Sequence, residues 1–392
     1  MMICSSGPTI RIARYISRLL QPVYDQVSLS TTFFKETEAV HAIEMYANQG
    51  LLLPTTLFAT VHINDLCTVV SHEEIMQALE RFLNEYFKHD QYIHGITIDT
   101  IMKLVHLILQ NQIFIFKDKV YRQIKGGTTG SPLTILLMNI YMFYWQENLV
   151  KIMLNKNEIF GRCFDKVFLT WNGSKTELRS LLHATANKKQ PSSIQITTSI
   201  GNQINYMDAQ ISHINGSLQT KINHDTDTEP RCLPYVFDHP RHMHSTLIRA
   251  CLIRAVLCCS NMIDFDNEHH DIEETFSTNG YTWDYINHHV EEFFREFNAL
   301  KLKCHVDQCK YDMLRRRVFE YDQQQLEMKI QQRKDEQDKE KWYISSTLKG
   351  EALVDLQQKF KDIWEDYVHN QIELRNIIIE IIGQPKYPSN TK

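Results

Sequence analysis

The chain has no basic surplus. Its 392 residues carry 42 Lys and Arg against 47 Asp and Glu, a formal charge of −5. Neutralised phosphates supply much of the affinity of a duplex-gripping protein, so this balance argues against a globally basic nucleic-acid binder and leaves room only for a local patch. Paired CxxC spacing is also missing. Nine cysteines are scattered along the chain, and the one cluster that resembles ligands, Cys304-His305 with Cys309, lacks the second pair that a four-donor zinc site needs. Free thiols, and with them a reducing intracellular compartment, are the expectation. Met1 to Pro8 has no apolar core, so no signal peptide is legible. The apolar window Leu247 to Cys259 carries Arg249 and Arg254, which argues against a membrane span. No internal repeat is visible, and nothing in the sequence speaks to oligomeric state. What is present is 43% hydrophobic and 23% charged content, the make-up of a folded chain with room for two or three subdomains.

One stretch organises the rest: Tyr121 to Tyr144, YRQIKGGTTGSPLTILLMNIYMFY. Gly126, Gly127 and Gly130 permit positive φ and leave backbone N–H groups free to face a ligand, and Pro132 suits the first turn of a helix. Leu133 to Tyr144 is almost wholly apolar, which predicts a helix buried on most faces but too short to span a bilayer. The glycines alone are equally consistent with an ordinary turn ahead of a core helix.

Periodicity predicts helices over Pro8–Tyr24, Ala39–Asn48, Ile75–Phe87 (started by Ser71 to Glu74), Asp99–Asn111 and Thr176–Ala186. Strands are expected within Leu51–Ile63 after Pro54, over Val167–Trp171, and as a series Ser193–Ser199, Tyr206–Ile214 and Ser217–Ile222. Ile113–Lys117 and Val120–Gln123 form a hairpin about Asp118-Lys119, and Asn215-Gly216 marks another. From His239 onward helices are expected, including a long solvated one over Tyr311–Trp342 and a last one over Leu353–Ile382. This order reads as α+β.

Gln123, Gly126, Gly130-Ser131-Pro132-Leu133 and Asn139-Ile140-Tyr141-Met142 resemble motif B of Penelope-like reverse transcriptases, QxxGxxMGSPLSPxxANIYM, with Thr129 and Met138 at two departures. Other stretches resemble the same family in the same order. Val61 to Thr68 is similar to motif A, FDxxxLYT. Phe114 to Arg122 is similar to FxFxxKxYRQ, and Arg162 to Trp171 to motif C, RYxDDxFxxW. Tyr206-Met207-Asp208 with Gly216, Leu218 and Thr220 is similar to FLDVxI…GxLxT, and His239 to His242 to the HPxH that enters the thumb. The resemblance runs from about Pro8 to Asn298. It implies a right-hand polymerase fold: truncated fingers over 1–55, a palm of antiparallel sheet and helices over 56–225 with a helical fingers insertion at about 69–120, and a helical thumb over 226–300. A C-terminal helical extension over 301–392 would follow. The family's GIY-YIG endonuclease string is not found there.

The resemblance further implies RNA-directed DNA polymerase activity by two-metal phosphoryl transfer, with three carboxylates clustered around two Mg²⁺. The aligned positions here are His62, Asp165 and Lys166. One carboxylate, one imidazole and one ammonium bring the local charge from −3 to about zero near neutral pH. Asp165 is at most the remnant metal ligand, and His62 suits zinc or copper better than magnesium. Lys166 is either a stand-in cation pairing with Asp165 or a phosphate, or plain decay of an unused site. Asp65 lies an odd number of residues beyond His62, on the opposite face if the strand continues. The family's aromatic gate against a ribose 2′-hydroxyl falls on Cys67, which lacks the bulk, and its basic fingers segment has no counterpart in Met1 to Ser6.

Three readings follow. The first is a degenerate, inactive retroelement reverse transcriptase needing no cofactor. The second is an active RNA-directed DNA polymerase with an atypical Mg²⁺ site. The third is a non-catalytic module that grips an RNA/DNA template–primer through Gln123, Gly126, Gly130, Ser131 and Pro132 and the thumb residues Arg241, Arg249 and Arg254.

Overall fold

The computed structural model describes residues 9–87, 92–93, 96–117, 119–128, 130–187, 194–224, 232–236, 239–303, 307–337, 340–346, 354, 357–359 and 377–383. In chain order the elements begin with α1 (Ile10–Ser28), α2 (Glu36–Asn48), β1 (Leu57–Ile63), α3 (Leu66–Val69) and α4 (His72–Tyr86). Next come β2 (Tyr92–Ile93), β3 (Ile96–Thr97), α5 (Ile98–Gln110), β4 (Ile113–Phe116), β5 (Lys119–Arg122), α6 (Pro132–Trp145) and α7 (Glu147–Asn155). The strand-rich part holds β6 (Phe160–Cys163), β7 (Lys166–Trp171), α8 (Lys175–Ala186), β8 (Ile196–Gly201), β9 (Gln203–Tyr206), β10 (Ala209–Ile214) and β11 (Ser217–Ile222). Helices α9 (Arg241–Cys258), α10 (Met262–Thr278), α11 (Trp283–Glu296) and α12 (Gln308–Gln337) follow, then β12 (Glu340–Ser346) and β13 (Ile377–Gly383). Among the described residues no helix is long and apolar enough to cross a membrane.

Residues Met1–Arg315 form one unit and Arg316–Lys392 a second. In the first, an antiparallel sheet runs β6-β7-β1-β8. Alternation along the pleat gives it two faces. Ala59, Val61, Ile63, Val167 and Leu169 point into a core shared with Ile16 and Leu20 of α1, Leu79 and Leu83 of α4, and Leu136, Leu137 and Ile140 of α6. Phe58 and Phe168 point the other way, onto Val40 and Ile43 of α2 and Tyr206 and Ile211 of the second sheet. That second sheet is β11-β10-β9, and Asn215 and Gly216, both with positive φ, make the turn that joins β10 to β11. The apolar run of α6 is buried nearly all round because it is sandwiched in this way, and Pro132 occupies its first turn as its fixed φ favours. Ser71 and Glu74 start α4 as a reciprocal capping box, Ser71 Oγ accepting from Glu74 N and Glu74 reaching back to Ser71 N.

Three expectations are corrected. Tyr206–Ile214 is two strands, because Met207 takes φ +52° and turns the chain between β9 and β10. The Tyr311–Trp342 helix stops at Gln337, and Trp342 belongs to a strand. A helical extension to the end of the chain is not what forms: in the second unit Glu340–Ser346 pairs in parallel with Ile377–Gly383. Its isoleucine-rich sequence IIIEIIG favours the pleated conformation, where β-branched side chains lose least freedom. Most of Leu353–Ile382, like Cys304-His305, Asp118, Thr129 and Met1 to Pro8, lies outside the described residues.

Candidate functional site

The glycine loop is held against α3. Gly126 N–H donates to Val70 O at 2.7 Å and Gly127 N–H to Cys67 O at 2.8 Å. Nε2 of His72 lies 2.9 Å from Gly126 O, and burial lowers the pKa of that imidazole, which fits a neutral ring donating here. Gly126 has φ +63°, and a Cβ there would collide with the Cys67 carbonyl. A Cβ on Gly127 would meet Thr134 at 2.5 Å. Both glycines are therefore required by close backbone approach rather than by a free turn. Gln123 N–H donates to Gln112 O, and the Gln112 amide oxygen accepts from Thr128 N at 3.0 Å, tying the loop to the start of β4. Gly130, with φ +92°, is exposed, and buried Ser131 leads into α6.

On the neighbouring sheet the three aligned positions come together. Lys166, the first residue of β7, stands directly opposite His62 of β1, and His62 in turn faces Thr197 of β8. Asp165 occupies the two-residue turn between β6 and β7, whose first residue, Phe164, has φ +51°. Ile63 N–H donates to the Asp165 carbonyl at 2.8 Å and fixes the turn on β1. The Asp165 carboxylate lies 3.9 Å from His62 Nδ1, with both side chains well exposed at 33% and 49%. It does not pair with Lys166: among the described residues, Lys166 Nζ has no ion-pair partner. Asp65 takes φ +51° just past the end of β1, so the strand does not carry it to the opposite face. Cys67 is buried beside the glycine loop, and burial, reinforced by the charge of Asp165, pushes its thiol pKa up.

Arg162 holds this turn from below. It is 2% exposed. Its Nε donates to Gln146 Oε1 at 2.7 Å, and one terminal nitrogen donates to Asn139 Oδ1 at 2.8 Å and to the Phe164 carbonyl at 2.7 Å. The other terminal nitrogen donates to Tyr24 Oη at 3.1 Å. Every partner is neutral, so a buried guanidinium is satisfied by hydrogen bonds without a carboxylate. Asn139 and Arg162, each part of a resembling motif, thus act on one another. Neither was singled out as a site residue, because the partners come from α1, α6 and the turn and share no local spacing.

A pair of magnesium ions needs clustered hard oxygen ligands. One carboxylate, an imidazole beside it and an ammonium on the next residue do not fit that demand. Among the described residues, groups of three donors close enough to share a metal ion lie elsewhere: His224 with Glu268 and Asp271, and His288 with His289 and Glu292.

The three expected thumb arginines are not equivalent. Arg249 is paired with Glu296 at 2.7 Å, and Arg254 reaches Asp208 at 3.0 Å and lies 2.8 Å from Glu36, off the direction of its Nε–H. Intramolecular carboxylates approach both of these guanidinium groups. Arg241, exposed at the start of α9, has no ion-pair partner among the described residues. Exposed cations that sequence reasoning passed over lie instead on the β4–β5 hairpin and beyond it, at Lys119, Arg122 and Lys125, with Tyr121 and Ile124 exposed among them. The signal was alternation in KVYR with a basic residue at each end.

Residues 231–291 match the family described as the animal helix-turn-helix domain. No curated protein matches the sequence. Among solved structures, the chain is similar to the telomerase of Candida albicans in complex with the TWJ fragment of telomeric RNA, at 11% identity, covering 79% of this chain and 55% of that one with a TM-score of 0.54. Weaker likenesses are to the Candida tropicalis telomerase with the same kind of RNA fragment (12% identity, 74% and 47% covered, TM-score 0.46) and to the RNA-dependent RNA polymerase of a human picobirnavirus (9% identity, 78% and 56% covered, TM-score 0.43). The chain spans about half the length of these solved structures. The chain's mixed helix-and-sheet fold is similar to that of the Candida albicans telomerase structure.

Proposed function

We propose that the chain is a reverse-transcriptase-domain protein of retroelement descent, from the Penelope-like branch, that grips an RNA/DNA template–primer and does not extend it. In this reading β1 and β6–β11 with α6 are the palm, α4 to β5 the fingers insertion and α9–α11 the thumb. One observation carries it: His62 and Lys166 face each other across β1 and β7, where a polymerase of this lineage would cluster carboxylates. Lys166 adds a fixed cation, and like charges about 4 Å apart repel by several kcal/mol even at an effective dielectric near 20. Template grip is supported by the basic, aromatic-bearing β4–β5 hairpin within a chain that is acidic overall.

The helix-turn-helix match favours a second reading, in which 231–291 enters a DNA groove. Helix α10 opposes it, since MIDFDNEHHDIEETFST has acids at six positions and no Lys or Arg to meet phosphate.

Primer extension with Mg²⁺ and with Mn²⁺ tests the central reading. No incorporation is expected, and incorporation that Asp165→Ala abolishes overturns the assignment as inactive. Hybrid binding should weaken steeply as salt rises, and binding indifferent to salt rejects the grip.

A further inference from the structure

We infer that His62 and Lys166, with the hydroxyls of Thr197 and Ser199, hold a phosphate group directly and without a divalent metal. The inference deepens the nucleic-acid-binding reading above and rests on it. Where metal ligands are expected, this chain offers the donors of an anion site.

The geometry is set by register. Lys166, His62 and Thr197 are opposite one another on three adjacent strands, so their side chains leave the same face at intervals of about 4.8 Å. One row further along, Thr60 faces Ser199. These residues line a cleft of about 230 Å³ that Asn205 and Tyr206 of β9 close from the side. No carboxylate is among the described residues that line it. A cleft of this size is below that of sites enclosing drug-sized ligands, which favours one phosphate over a whole nucleotide.

Charge points the same way. Asp165 stands on the Nδ1 side of the His62 ring, which leaves Nε2 for a ligand. Among the described residues, no carboxylate pairs with Lys166. On the opposite face of the sheet, the Arg162 guanidinium is buried among neutral acceptors. The residues lining the cleft thus bring the Lys166 ammonium and no carboxylate to an entering anion. Hydroxyl and amide donors then complete a tetrahedral oxyanion's shell, as charge-assisted hydrogen bonds do elsewhere.

The phosphate could come from a nucleic-acid backbone or be free in solution, and one experiment separates the two. Inorganic phosphate and a short RNA/DNA hybrid are titrated separately, both in EDTA, into the full chain and into a His62→Gln, Lys166→Gln variant. Both side chains are exposed, and thermal unfolding checks that the variant folds. Wild type should bind inorganic phosphate in EDTA, and the variant about tenfold more weakly or worse, the loss expected for one or two charge-assisted hydrogen bonds. A parallel loss in hybrid affinity assigns the site to the backbone, and an unchanged hybrid affinity assigns it to free phosphate. Either result supports the anion site. No phosphate binding by wild type, binding that requires Mg²⁺, or equal binding by the variant overturns it. Failure of wild type to bind the hybrid while phosphate still binds refutes the template-grip reading and leaves the anion site standing.

Discussion

Gly126 and Gly127 sit where a single added carbon would strike the Cys67 carbonyl or Thr134, whereas the side chains of His62 and Lys166 are exposed. The first region builds the core: the loop docks on α3, α6 fills the space between layers, and Arg162 ties the β6–β7 turn to α1 and α6. The second region would carry the chemistry, and its side chains can change without loosening any of that. A site can therefore lose its carboxylates while the surrounding fold is kept intact, because the two are constrained by different forces: close packing in one, metal coordination in the other.

The largest effect should come from the packed region. Gly126→Ala forces a side chain into left-handed backbone against a carbonyl and should cost about 2–4 kcal/mol, or soluble expression altogether, as read by denaturant unfolding. A stable Gly126→Ala protein would erase the contrast. Arg162→Leu leaves the Gln146, Asn139 and Phe164 oxygens buried without their donor and should cost about 3 kcal/mol, measured the same way. By comparison, the His62→Asp, Lys166→Asp pair should change stability by a few degrees in Tm at most without metal, from mutual repulsion, and should gain a Mg²⁺-dependent rise in Tm that wild type lacks. Equal Mg²⁺ response in both proteins would break the comparison from the other side.

How far this was legible depends on the range of the cause. The Ser71–Glu74 cap, the Asn215-Gly216 turn and the Pro132 start are local devices, and the sequence shows them plainly. The cross-strand meeting of His62 and Lys166 was reachable only through the order of the resembling motifs. Arg162 was not reachable at all, since its meaning lies in partners from Tyr24 to Phe164. The ion pairs of Arg249 and Arg254 were out of reach for the same reason: Glu296, Asp208 and Glu36 are remote in sequence, and nothing local announces them. The β9–β10 break escaped notice because Met207 adopts positive φ without the glycine or asparagine that signals a turn.

Two smaller effects sharpen the picture. Lys119→Glu with Arg122→Glu on the exposed hairpin should weaken hybrid binding about tenfold at moderate salt and flatten its salt dependence, while Arg249→Gln, already neutralised by Glu296, should change binding less. The smallest concerns His72. Its folded pKa lies below the unfolded value near 6.5, so the unfolded chain takes up the proton first. Its contribution is complete above that pH and is lost as pH falls through the folded value. Wild type should lose about 1–2 °C more in Tm than His72→Gln between pH 7 and pH 5. Parallel pH profiles would show that the His72 contact with Gly126 contributes nothing.

The most direct measurement is a titration of the wild-type chain with Mn²⁺, followed by electron paramagnetic resonance and repeated with Asp165→Ala. A site with one carboxylate beside a lysine should leave the manganese free, with the same signal in both proteins. Two ions bound by wild type and released by Asp165→Ala would contradict the account.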